Sequence, residues 1–159
     1  MFKAFFSALY EQLDIKKFKV FFGHPLYVYI HIDDFFSNKH YIHKPLSFIQ
    51  RKFLSKLRLG VLPIRIETGR YHPRLEEADR ICLVCNEPNA IENETHFLLK
   101  CSAYGRQRRD LLSRIPELDA NFVNWSDEDQ LKLLTCNALA VKSTAQFLID
   151  VFDIRSTKI

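Results

Sequence analysis

The sequence predicts a mainly α-helical fold, a small helical domain with an embedded C-x2-C-x10-H-x4-C zinc site. Three observations lead there. Apolar residues recur three or four positions apart over much of the 159-residue chain, the period of a helix with one buried face. Only 4 glycines and 6 prolines are present, few for the turns of a loop-rich all-β protein. A hydrophobic content of 47% with 14 phenylalanines supplies a packed core, which argues against disorder.

The elements follow in chain order. Phe2, Phe5, Phe6, Leu9, Leu13, Ile15 and Phe18 mark an amphipathic helix within residues 2–20, interrupted by Gly23, His24 and Pro25. In residues 26–36, Tyr27, Tyr29 and His31 alternate with Val28, Ile30 and Ile32, which favours extended structure. A lone strand has nothing to pair with, so strand and buried helix both stay open there. Pro45 suits the first turn of the next helix, with Leu46, Ile49, Phe53, Leu54 and Leu57 on one face and Arg51, Lys52, Lys56 and Arg58 on the other. Gly60 supplies its stop, and Pro63 prevents continuation. Residues 94–115 read as helix until Pro116. Ser126 with Asp129 caps a helix running to about Cys136, and Ala138 to Ile154 forms the last, with Val141, Phe147, Leu148, Val151 and Phe152 apolar. The linker-like stretches, residues 117–121 and 156–159, are too short to separate domains. The expected organisation is an N-terminal helical and aromatic segment (1–44), a zinc-binding module (45–115) and C-terminal helices (116–159), packed as one unit. No apolar run approaches the roughly 18 to 20 residues that cross a bilayer, so no membrane association is expected.

The densest chemistry lies in the middle of the chain. Cys82, Cys85, His96 and Cys101 offer three thiolates and an imidazole, a set that zinc (Zn2+) takes in tetrahedral structural sites. The C-x2-C pair grips an ion from a tight turn, and Glu87-Pro88-Asn89-Ala90 lets the chain reverse after it. His96 and Cys101 lie on a helical stretch. A five-residue step there turns through about 500°, leaving the two about 140° apart, so a bend or frayed turn is required. Two other readings stay open: unrelated buried cysteines with a core histidine, and a Cys82–Cys85 disulfide. The redox form normally opens a helix in a βαβ setting that is missing here. The first residues have too short an apolar run and no small-residue cleavage site for a secretory leader. Reduced thiols and an intracellular location, the nucleus included, are therefore expected. His24, His31, His40, His43 and His72 form no second cluster of ligand spacing, and Trp125 and Cys136 read as core residues.

The ordered segments Leu57-Arg58-Leu59-Gly60, Ile66-Glu67-Thr68-Gly69-Arg70, Cys82-Leu83-Val84-Cys85 and Glu94-Thr95-His96-Phe97, then Cys101 and Tyr104, resemble the zinc-binding (CCHC) region that follows the polymerase in LINE-type (non-LTR) retrotransposon reverse transcriptases. The match covers about residues 50–110. It implies a nucleic-acid-binding module, a remnant or fragment of a retroelement, with Cys82, Cys85, His96 and Cys101 as the zinc ligands. The Cys85 to His96 gap is longer than in retroviral knuckles, so their base contacts do not transfer. Asp33 and Asp34 resemble the metal-holding pair of a polymerase palm, but only 32 residues precede Asp33, too few for the palm's other strand and third carboxylate. The lysine of a restriction-like endonuclease is missing beside Pro116, Glu117 and Asp119. No enzyme is expected.

Charge is uneven. Residues 1–80 carry +6 (14 Lys and Arg against 8 Asp and Glu), residues 81–110 are neutral (4 against 4), and residues 111–159 carry −2 (5 against 7). Arg58, Arg65, Arg70, Arg106, Arg108 and Arg109 flank the zinc site and are candidate contacts to RNA or DNA phosphates, with Tyr71, Phe97 and Tyr104 as candidate stacking surfaces. Internal ion pairs, with Glu67 and Glu94 as partners, are the competing use of those arginines. The expected function is zinc-stabilised nucleic-acid binding; a zinc-stabilised protein-interaction module or an inactive remnant is the alternative.

Overall fold

A computed structural model describes residues 45–71, 73–116 and 118–158. The expected helix within residues 2–20, the segment 26–36, the Asp33–Asp34 pair and His24, His31, His40, His43 and His72 lie outside the described residues. Helix α1 (Phe48–Arg58) starts beyond Pro45 because Ser47 provides the cap. The Ser47 hydroxyl accepts from the Gln50 N–H at 3.2 Å, and the Ser47 N–H donates to Gln50 Oε1 at 2.9 Å, a reciprocal capping box. The helix ends at Gly60, whose φ of 65° is costly for other residues. Its N–H donates to Leu57 O at 3.0 Å and the Val61 N–H to Lys56 O at 2.9 Å, the Schellman closure of the last turn.

The two faces of α1 differ from the expected division. Its buried residues are Leu54, Leu57 and Arg58, with Arg58 only 2% exposed, while Ile49 is 53% exposed. A four-residue step turns a helix by about 400°, so Arg58 falls over Leu54 rather than on the basic face.

Helix α2 is a single turn (Arg65–Thr68) ending at Gly69. The Arg80 side chain lies across this turn, donating from Nη1 to Ile66 O at 3.1 Å and from Nη2 to Leu75 O at 3.0 Å. A Cβ at Gly69 would sit 2.8 Å from both Arg65 O and Arg80 Cγ. One of these contacts is backbone, so Gly69→Ala is expected to cost about 1–3 kcal/mol by overpacking, read as a lower urea midpoint with an unchanged slope.

Helices α3 (Gly105–Ser113), α4 (Asp127–Cys136) and α5 (Val141–Lys158) complete the fold. Ser126 caps α4 as expected, its hydroxyl accepting from the Asp129 N–H at 3.1 Å. Helix α5 starts later than Ala138 because Asn137 holds residues 138–140 in a turn, its Oδ1 accepting from the Leu139 N–H at 2.7 Å. It also runs past Ile154. The Ser156 and Thr157 hydroxyls donate back to Asp153 O and Ile154 O, each at 2.7 Å, so these residues extend the helix instead of forming a linker.

Helix α5 packs against α1, α3 and α4. One hydrophobic cluster joins Leu57, Leu62 and Ile64 to Cys82, Phe97, Cys101 and Tyr104 and to Leu134, Phe147, Leu148 and Val151. A smaller one, Leu46, Leu54, Val141 and Ala145, ties α1 to the start of α5. Phe53 stacks on Phe152 with ring centres 4.8 Å apart. Trp125 is half-buried against the main cluster and Cys136 is buried. The fold is mainly helical: no strand occurs among the described residues, where Ile81 and Ile91 form an antiparallel bridge. No helix of the described residues is long and apolar enough to cross a membrane.

Candidate metal centre

Residues 81–91 fold back on themselves. The Cys82 N–H donates to Ala90 O and the Glu92 N–H to Arg80 O, both at 2.8 Å. Between them the chain turns through Asn86 and Asn89, at φ 54° and 58°. Asparagine is among the few residues that tolerate this left-handed conformation. The Asn86 N–H donates to Cys82 O at 3.1 Å and closes the turn that carries Cys82 and Cys85.

The second ligand pair comes from a π-helical turn (His96–Lys100). Asn93 Oδ1 caps its start by accepting from the His96 N–H at 2.8 Å. The Cys101 N–H then donates to His96 O, five residues back, at 2.7 Å. An i to i+5 bond widens the turn, so a five-residue step returns close to its origin. This removes the angular mismatch an ideal α-helix would impose on His96 and Cys101. Cys101, at φ −54° and ψ 118°, then leaves the helical region, and a 3-10 turn (Ser102–Tyr104) leads into α3. The single helix expected over 94–115 is thus divided, and the division lies at the ligands.

The four ligand atoms all lie within 4.8 Å of one another. Cys82 Sγ is 3.9 Å from Cys101 Sγ, and Cys85 Sγ is 3.5 Å from His96 Nε2. A tetrahedral ion about 2.3 Å from sulfur and about 2.0 Å from nitrogen has edges of about 3.8 Å between sulfurs and about 3.5 Å between sulfur and nitrogen. Both of these edges match, and the cluster can hold a metal ion. Cys82, Cys101 and His96 are buried and Cys85 is half-buried. Cys136 is remote in role, its Sγ lying 3.5 Å from Thr135 Oγ1 on α4.

As thiols, Cys82 and Cys101 act on each other. The hydrogen bond with Cys101, then burial, push the Cys82 thiol up to about 12, and the same bond lowers Cys101. Burial raises Cys85. An ion taking these sulfurs as thiolates displaces their protons, so its affinity weakens as pH falls.

Around the ligands the side chains hold backbone. Arg108, on α3, donates from Nε to Leu98 O at 2.8 Å and from Nη2 to Cys101 O at 2.9 Å, bridging the π turn to its last ligand. Burial lowers its pKa. Ser102 hydrogen-bonds Glu87, joining the tip of the cysteine loop to the turn after Cys101. Glu92 is fully buried and paired through both oxygens with Arg155 of α5.

The six candidate phosphate-binding arginines divide. Arg106 and Arg109 are exposed on α3. Arg70 is half-exposed and lies 3.5 Å from Glu67. Arg58 is buried, Arg65 is half-buried, and Arg108 is spent on the carbonyls of Leu98 and Cys101. Among the candidate stacking residues, Phe97 and Tyr104 are buried against each other, ring centres 5.4 Å apart, so neither is open to a base. Tyr71 is 66% exposed, its hydroxyl donating to Glu67 Oε1 at 3.1 Å. That bond and the Glu67 charge raise its pKa.

Sequence reasoning missed Glu92 and Arg155, which no local pattern links across 63 positions. It also left Asn86 and Asn93 without roles, although an asparagine just after the second cysteine and another three residues before His96 are readable turn and cap signals.

Comparison of the chain with protein-family models, with curated proteins and with solved structures finds no match.

Proposed function

We propose that this chain is a zinc-stabilised nucleic-acid-binding module related to the region that follows the polymerase in LINE-type reverse transcriptases, contacting RNA or DNA backbone and performing no catalysis. The observation that carries the reading is the convergence of Cys82, Cys85, His96 and Cys101 within 4.8 Å of one another, with Cys82–Cys101 and Cys85–His96 at the edge lengths of a zinc tetrahedron. Four protein ligands fill such an ion's coordination, which makes the site structural. Zinc, when bound, supplies a cross-link between the loop of residues 81–91 and the π turn. The chain's own residues also present cations to solvent. Arg106 and Arg109 stand one turn apart on α3, directly after the last ligand, with Arg70 as the third. Arg58 and Arg108 drop out of the contact set because the interior or the π turn and Cys101 use them, and half-buried Arg65 follows. Reduced thiols at such a site fit an intracellular, including nuclear, setting.

The test is a salt titration of duplex DNA and RNA binding on protein of confirmed zinc content. Replacing Arg106 and Arg109 with alanine is expected to shallow the log–log salt slope by up to about two on duplex DNA and to weaken all sequences alike. Zinc-loaded protein that binds neither nucleic acid at low salt overturns the reading. The second reading, a protein-interaction module, is favoured by the shallow groove lined by Trp125, Leu133, Cys136 and Leu139, the last of these 48% exposed.

A further inference from the structure

Given this metal centre, we infer that helix α5 is part of it: Arg155, acting through Glu92, is a positioning residue for Cys82, and metal binding is coupled to the docking of α5. Glu92 has no exposed surface. Its carboxylate receives both terminal nitrogens of Arg155, whose side chain is 11% exposed. Oε2 also accepts from the Arg65 N–H at 2.7 Å, and Oε1 lies 3.5 Å from Cys82 Sγ. The backbone of the same residue is fixed as well, with its N–H on Arg80 O at 2.8 Å and its carbonyl accepting from Ile66 at 3.0 Å. One buried residue therefore joins α2, the cysteine loop and α5.

Two physical consequences follow. A buried carboxylate stripped of its guanidinium is strongly unfavourable in the interior, and it escapes that cost only by moving toward water. Glu92 cannot move without the bridge that carries Cys82. The charges also need a balance: a divalent ion with three thiolates and a neutral imidazole is a net anion, and Glu92 places a further negative charge beside it. Arg155 offsets that charge on the Cys82 side, as Arg108 does on the Cys101 side. Because coupling is reciprocal, whatever Arg155 gives to metal affinity the metal gives back to the docking of α5.

The experiment measures zinc affinity by competition with a chromophoric chelator on the full chain, for wild type, Arg155→Leu, Arg155→Lys, Glu92→Gln and the double variant Glu92→Gln/Arg155→Leu. Arg155→Leu is expected to weaken zinc by about 10- to 100-fold, the range of residues that orient metal ligands. Arg155→Lys should recover part of the loss, since it keeps the charge without the fork. The double variant should lose no more than the worse single variant, because Arg155 acts through Glu92. Hydrogen exchange on wild type covers the case in which Arg155→Leu does not fold: chelation should speed exchange of α5 amides near Arg155 together with those of residues 81–101. Unchanged zinc affinity in Arg155→Leu, losses that multiply in the double variant, or α5 exchange indifferent to chelation overturns the inference while leaving the metal centre standing. Wild-type protein that takes up no zinc overturns the metal centre and the inference with it.

Discussion

Cys101→Ser is expected to abolish stoichiometric zinc binding, taking the metal content from one ion per chain to near none, whereas Cys136→Ser keeps it. Structural zinc carries an apparent binding free energy of about 10–16 kcal/mol at neutral pH, so this is the largest single-residue effect the chain can show. The loss is local first. Residues 86–90 hold Asn86 and Asn89 in left-handed conformations and carry no large apolar side chain, so their order depends on the cross-link. Helices α1, α3, α4 and α5 share a core and should keep most of their far-ultraviolet signal. Elemental analysis with circular dichroism checks both halves. Zinc lost from Cys136→Ser and kept by Cys101→Ser would remove the assignment, and a complete collapse of helical signal on chelation would refute the partition. The pH dependence has a fixed sign. Cys82 holds its proton strongly as a thiol, so acid favours the thiols, and metal-dependent stability should be present at alkaline pH and lost as pH falls.

Phe97→Ala should cost about 3–5 kcal/mol of folding stability, the range for removing a fully enclosed aromatic side chain. Phe97 is unexposed, with ring centres 5.4 Å from Tyr104, 5.5 Å from Phe152 and 6.4 Å from Phe147. It is also the neighbour of His96 on the π turn, so the cavity lies under a ligand. Urea unfolding of zinc-loaded protein reads the stability loss, and chelator competition should show weaker zinc in the same variant. A loss under about 1 kcal/mol would mean that the ring does not tie Tyr104 to Phe147 and Phe152 of α5.

The features that the sequence alone determined are those settled within about one helical turn of backbone. Ser126 with Asp129 and Gly60 mark helix ends because caps act over three or four residues, and the cluster of Cys82, Cys85, His96 and Cys101 is legible because a tetrahedral metal site draws such atoms from short turns. Even the misfit of a five-residue step on an α-helix was readable, as the need for a distortion between His96 and Cys101. Tertiary structure alone decided what each charged side chain does. Arg58, Arg65, Arg70, Arg106, Arg108 and Arg109 are alike as residues, yet one is buried in α1, one holds the Cys101 carbonyl and two stand exposed on α3. Glu92 and Arg155 meet only because α5 folds back over the cysteine loop. Burial and ion pairing depend on which distant segments pack together. Local periodicity records that a helix has an inward face, but the packing partner fixes which residues that face includes, as Ile49 and Arg58 of α1 show.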